Sequence, residues 1–224
     1  MNELQVNNSA VALGMSTHSA AASGIEGLTP EDIKDHGVSL APLKLVGQMS
    51  KEGKEDPSLI GKLLYDKRLD LGTELSTIVL ACQWRWAEQR EYNPNNPTPA
   101  NIMTNDEFLE SGLEKDQVKR IAIVNLAVVL PDGVEDESSV TAGGREYVLA
   151  SFWARGFSLD FAKTLARKIG SDYGGASYNK VTKLISGTRL WKGEAMRLVK
   201  WGGVGPTVSE ETLNTLADEI GGLG

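Results

Sequence analysis

The chain has 224 residues, a formal net charge of −7, and 41% hydrophobic and 24% charged residues, enough apolar material for one sizeable domain or two small ones. Its single cysteine, Cys82, excludes an intrachain disulfide, and its two histidines, His18 and His36, both lie in the N-terminal stretch. Those counts remove a Cys/His zinc site and a histidine-activated nucleophile from the body of the chain. No Walker-type phosphate loop, no strand-following GxGxxG and no apolar run of about 20 residues occurs either. The expectation is a protein of a reducing compartment that is not an enzyme, uses no cofactor or metal, and has no membrane partner.

Residues 1–24 are rich in Asn, Ser and Ala, without a period or a secretory pattern, and read as a disordered leader. Thr29-Pro30-Glu31-Asp32 has the chemistry of a helix start, cut short by Gly37. Residues 38–50 read as extended around Pro42, 51–58 as a charged loop, and 59–70 as a strand broken at Gly72. Glu74 to Glu88 (ELSTIVLACQWRWAE) is the first strong strand, by its β-branched and aromatic content. A Pro/Asn-rich loop over 92–101 leads to a brief helix, Thr104 to Ser111, with a capping pattern.

RIAIVNLAVVL (120–130) is a second strand, apolar on both faces, and an acidic turn region, 131–144, separates it from a third, REYVLASFWARG (145–156). The period then changes: Leu159, Phe161, Ala162, Leu165, Ala166 and Ile169 form one helical stripe, with Ser158 placed as N-cap and Gly170 beyond the end. Two further strands, NKVTKLISGTRL and EAMRLVKWGG, meet at Trp191-Lys192-Gly193. In the acidic tail, Leu213, Leu216, Ala217 and Ile220 recur at helical spacing.

Three strands, a helix and two strands predict a mainly β (α+β) fold: a five-stranded OB-type barrel with its helix between strands three and four, plus flexible termini. A β-sandwich would show more strands at short, regular spacing. The expected organisation is a leader at 1–24, a barrel domain at 25–203 with a loop and short-helix insertion at about 89–117, and a tail at 204–224.

Charge is unevenly distributed. From Arg145 to Trp201 eleven basic residues face four acidic ones, a local balance of +7, which leaves twelve basic and twenty-six acidic residues elsewhere, or −14. A basic block between acidic flanks suits a polyanionic partner.

The lead-in SLAPLKLVGQMS, the segment YVLASFWARGFSLDFAKTLARKIG and the following SYNKVTKLISGTRLWKGEAMRLVKWGG resemble phage-encoded single-stranded-DNA-binding proteins. The likeness covers roughly the last third of the chain plus the lead-in and rests on pattern. It implies single-stranded DNA as partner, a role in phage DNA replication or recombination, and the cytoplasm of the host cell as location. It also implies a tail that docks replication proteins, although this chain ends Ile220-Gly221-Gly222-Leu223-Gly224 where the family is often strongly acidic. The tail could equally pack on its own barrel, pack on a second copy, or compete with DNA. Rival readings of the whole chain are a phage structural or assembly protein and, needing several converging acids, a metal-dependent nuclease.

Binding a single strand regardless of sequence requires cations for the phosphates and flat rings for the bases. By strand alternation, Val148, Ala150, Phe152 and Ala154 face the core, and Tyr147, Leu149, Ser151, Trp153 and Arg155 face away from it. Trp153 beside Arg155 is therefore a candidate pair, against the alternative that Trp153 covers the core from outside. Arg189, Trp191 and Lys192 fall in the turn between the last two strands, a loop by which OB folds grip ligands. Arg85 lies opposite Trp84 and Trp86, both read as core. Lys183, Arg197 and Lys200 complete the candidate set with Tyr147; only one of Arg197 and Lys200 can face a groove, and Lys183 can instead snorkel.

Overall fold

The structure, a computed structural model, describes residues 40–89, 101–168 and 179–222. The expected leader and the helix start at Thr29 lie outside these residues, as do most of the 92–101 loop and Gly170.

The chain is mainly β, with one curled, open sheet. Its strands are β1 (Ala41–Leu45), β2 (Leu63–Tyr65), β3 (Leu69–Asp70), β4 (Glu74–Glu88), β5 (Ile102–Met103), β6 (Val118–Val129), β7 (Val140–Ala142), β8 (Arg145–Ala154), β9 (Lys180–Trp191) and β10 (Glu194–Thr207). Eight of them run in the order β10-β9-β4-β6-β8-β1-β2-β3; β5 pairs with β4, and β7 with β8. Among the described residues four α-helices accompany the sheet: α1 (Lys51–Glu55), α2 (Asn105–Glu110), α3 (Leu159–Arg167) and α4 (Glu210–Gly222). The expected five strands are thus only part of the sheet. The lead-in around Pro42 is itself a strand, parallel to β8 through Ala41↔Ala150 and Leu43↔Phe152.

Local chemistry explains several departures from expectation. Residues 51–55 form a helix because Ser50 Oγ accepts from Gly53 N (3.1 Å), with Glu52 in the first turn. Leu59–Asp70 is split into two strands by a turn in which Asp66 (φ 47°) and Lys67 (φ 60°) are both left-handed. At α2 the expected capping box is present: Thr104 Oγ1 accepts from Glu107 N, and Thr104 N donates to the Glu107 carboxylate. Ser158 does not cap α3. Its Oγ instead accepts from Val199 N of β10 at 3.0 Å, tying the start of the helix to the far end of the sheet.

β6 is buried on both faces, so the sheet has two cores. On one face Val124, Leu126, Val148, Ala150, Phe152, Leu184 and Val199 meet Phe161, Ala162 and Leu165 of α3. Here the alternation expected for β8 holds. On the other face Ile78, Leu80, Ala127, Tyr147 and Leu149 meet Leu213 and Leu216 of α4. Cys82 is fully buried, and desolvation pushes its thiol up to about 12, which leaves it unreactive at neutral pH.

The acidic 131–144 segment is stapled to the β2–β3 turn. Asp136 Oδ1 accepts from Ser138 N (3.0 Å) and Ser138 Oγ (2.5 Å), and Ser138 Oγ also bonds Tyr65 Oη (3.0 Å). Asp136 Oδ2 lies 2.9 Å from Arg68 Nη2, an ion pair off the hydrogen-bond direction. The Ser138 hydrogen bonds hold the Asp136 carboxyl below its ordinary 3.8, outweighing desolvation, and Arg68 adds to the effect. A depressed folded pKa gives stability that is present above the unfolded value and lost as pH falls through the folded one. Asp136→Asn should therefore cost about 1–3 kcal/mol at neutral pH. In urea melts that difference from wild type should shrink below about pH 4; a pH-independent difference would assign the loss to packing.

Candidate nucleic-acid interface

β8 carries the first part of the site. Trp153 is paired with Ile123 on β6, which is paired with Gln83 on β4, so the three share the face that α4 covers further along. Beyond the helix the face opens: Tyr147 is 4% exposed, whereas Trp153 is 41% exposed. The Arg155 guanidinium lies 5.2 Å from the Trp153 ring centre, a cation–π distance. Arg85 belongs to the same end of this face, opposite Ile121, and donates to Gln83 Oε1 (2.6 Å) and the Trp84 carbonyl (3.1 Å).

The β9–β10 hairpin carries the second part. β9 pairs with β4 from Val181 to Ile185, and beyond that point its partner strand among the described residues is β10, so the two form a ribbon. Trp191 pairs with Glu194 across a two-residue turn in which Lys192 (φ 50°) and Gly193 (φ 85°) are both left-handed, a type I′ geometry that suits the ribbon's twist. Near the tip Leu190 is 75% and Trp191 51% exposed.

The curl of the sheet brings this tip round to the end of β8. Phe157, in the 3-10 turn Gly156–Ser158 that follows β8, meets Trp191 edge-on at 5.4 Å. Arg189 sits 4.8 Å from the Phe157 ring centre. Arg155 and Phe157 are two positions apart, about 7 Å of chain at most. The Trp153–Arg155 pair and the Phe157–Arg189–Trp191 cluster are thus neighbours at the end of β8. Phe157 and its link to the hairpin were not foreseen from the sequence, because the contact depends on the curl.

The remaining candidates divide by the company they keep. Tyr147 is a correction: it is a core residue under α4, and desolvation raises its hydroxyl pKa. It cannot stack a base. Lys183 is ion-paired to Glu74 (2.7 Å), away from the rings. Arg189 lies 3.5 Å from Asp160, which partly neutralises it. Arg197 Nη1 donates to Thr188 Oγ1 (3.1 Å), and Lys200 lays its stem against Gly187, where a Cβ would come within 2.6 Å of Lys200 Cε. Arg155 and Lys192 make no ion pair with any described residue.

Trp84 and Trp86, expected in the core, are only half-buried. Trp86 stacks on Phe108 (4.6 Å), and the exposed Arg120 lies 4.7 Å from the Trp84 ring and 5.9 Å from that of Trp86. The geometry is set by β6: Arg120 is directly paired with Trp86 and diagonal to Trp84.

Among the described residues no group of three or more His, Cys, Asp or Glu could hold a metal ion, and no helix is long and apolar enough to cross a membrane. No family model, curated protein or solved structure matches the chain.

Proposed function

We propose that the chain binds single-stranded DNA without reading its sequence, in replication or recombination of the phage type. The observation that carries this reading is two neighbouring ring–cation clusters, Trp153 with Arg155 and Phe157–Trp191 with Arg189. Rings offer stacking faces to any base, and the cations neutralise phosphates on the same strand. Two tryptophans left this exposed are costly to keep for packing alone.

The strand order supports the OB-type reading. β10-β9-β4-β6-β8 is the order of a five-stranded OB barrel cut open between its third and fifth strands, with α3 between the third and fourth. β1 lies along β8 where the fifth strand would close the barrel. In that scheme the β9–β10 turn is the loop between the last two strands, one of the two through which such folds hold oligonucleotides. It is the loop that carries Trp191 and Lys192.

The test is a titration with fluorescently labelled oligo-dT at several salt concentrations. Salt-sensitive binding that quenches tryptophan emission is expected. Arg155→Gln should lower the slope of log K against log salt by about 0.7, one phosphate contact on a single strand. Absence of binding at low salt would remove this reading and favour an assembly role.

A further inference from the structure

We propose that Arg120, held over Trp84 and Trp86, is a further phosphodiester contact, so that the bound strand passes the start of β6 as well as the hairpin tip. This inference rests on the single-strand reading above and extends its site.

Three observations lead to it. First, Arg120 is exposed, and its only side-chain partners among the described residues are two indole faces, with no carboxylate in reach. A guanidinium that stacks uses its face, so its N–H donors still point outward in its own plane, where a phosphate can take two at once. Carboxylate pairing would occupy those same donors, as Asp160 does for Arg189 and Glu74 for Lys183.

Second, the position is contiguous with the proposed site. Ala122 pairs with Ala154, the last pair of β6 and β8, so Arg120 stands on β6 two residues past the point where β8 leaves the sheet for Arg155 and the Gly156–Ser158 turn. Arg155 stands on one face of this sheet end and Arg120 on the other, so a strand turning round the end meets both.

Third, the two arginines share one construction. Each lies over an indole near the same end of neighbouring strands, 5.2 Å away at Trp153 and 4.7 Å at Trp84. The stacking holds a long side chain in one place before the ligand arrives, which lowers the entropy lost on binding. Sequence reading passed over Arg120 because it lies within an apolar strand, outside the basic block.

The experiment compares wild type and Arg120→Gln in oligo-dT titrations over a salt series. Arg120→Met, which keeps the aliphatic stem over the indoles, serves as the measured variant if Gln lowers the melting midpoint. The expected result is a several-fold weaker affinity at low salt and a salt slope smaller by about 0.7, with the loss restored by Arg120→Lys. A folded Arg120 variant with the wild-type slope and affinity would overturn this proposal and leave the Trp153–Trp191 site standing. A wild-type protein that binds no oligo-dT would overturn both.

Discussion

Replacing Trp191 with alanine is expected to weaken oligo-dT binding by about five- to 150-fold and to leave the melting midpoint where it is. The first half follows from the worth of a stacked base, about 1–3 kcal/mol, with 1.4 kcal/mol per factor of ten. The second follows from position. Trp191 is half exposed at the tip of the ribbon, past the stretch of β9 that pairs with β4, and its one ring contact among the described residues is the edge of Phe157. Surface substitutions of that kind usually change stability by less than about 0.5 kcal/mol. Trp191→Phe should retain most of the affinity, because stacking needs a flat ring more than an indole N–H. Fluorescence titration beside thermal melting separates the two effects. Unchanged affinity in a folded Trp191→Ala protein would take the hairpin tip off the path of the strand, and with it the reason for the ribbon's exposed apolar residues.

The value of Trp191 as a probe comes from being legible by two independent routes. In the sequence, a tryptophan between Arg189 and Lys192 in a tight turn has little to pack against, and in the structure it is exposed. The long elements were readable because each carries enough residues for a signal, β4 by its β-branched and aromatic content, β6 by its apolar run and α3 by its helical stripe. The short pairings were not, since β2, β3, β5 and β7 span only two or three residues and exist through register with a neighbour. Tyr147 went wrong for a physical reason. Strand alternation assigned it correctly to the face away from α3, but one strand cannot reveal that a helix from the far end of the chain covers part of that face. Trp84 and Trp86 show the converse: alternation puts them on the core face, yet that face runs past α3 and opens beneath Arg120. Faces are legible in a sequence, while coverage depends on elements distant in the chain.

Coverage by α4 is the second quantity worth perturbing. Leu216→Ala should destabilise the whole protein by about 2–5 kcal/mol, the range for deleting a fully buried leucine side chain from a core. Leu216 is 0% and Leu213 1% exposed, and both pack on Ile78, Leu80, Ala127, Tyr147 and Leu149, residues of the three central strands. The helix is also fitted from below: Gly143, in the β7–β8 turn, lies so close to Thr212 that a Cβ there would collide with its hydroxyl. A lower urea midpoint in Leu216→Ala, with an unchanged denaturant slope, would show the helix to be part of one cooperative unit. No change would mean that α4 contributes nothing to the fold it rests on. The same geometry bears on whether an acidic tail competes for the cationic surface. Leu149 lies under the helix and Trp153 four residues along the same strand, about 13 Å away. The helix therefore sits beside the rings, with Glu210, Glu211, Asp218 and Glu219 turned to solvent. Deleting residues 208–224 should accordingly uncover Tyr147 and Leu149 and cost stability, whereas deleting a competing tail would raise affinity.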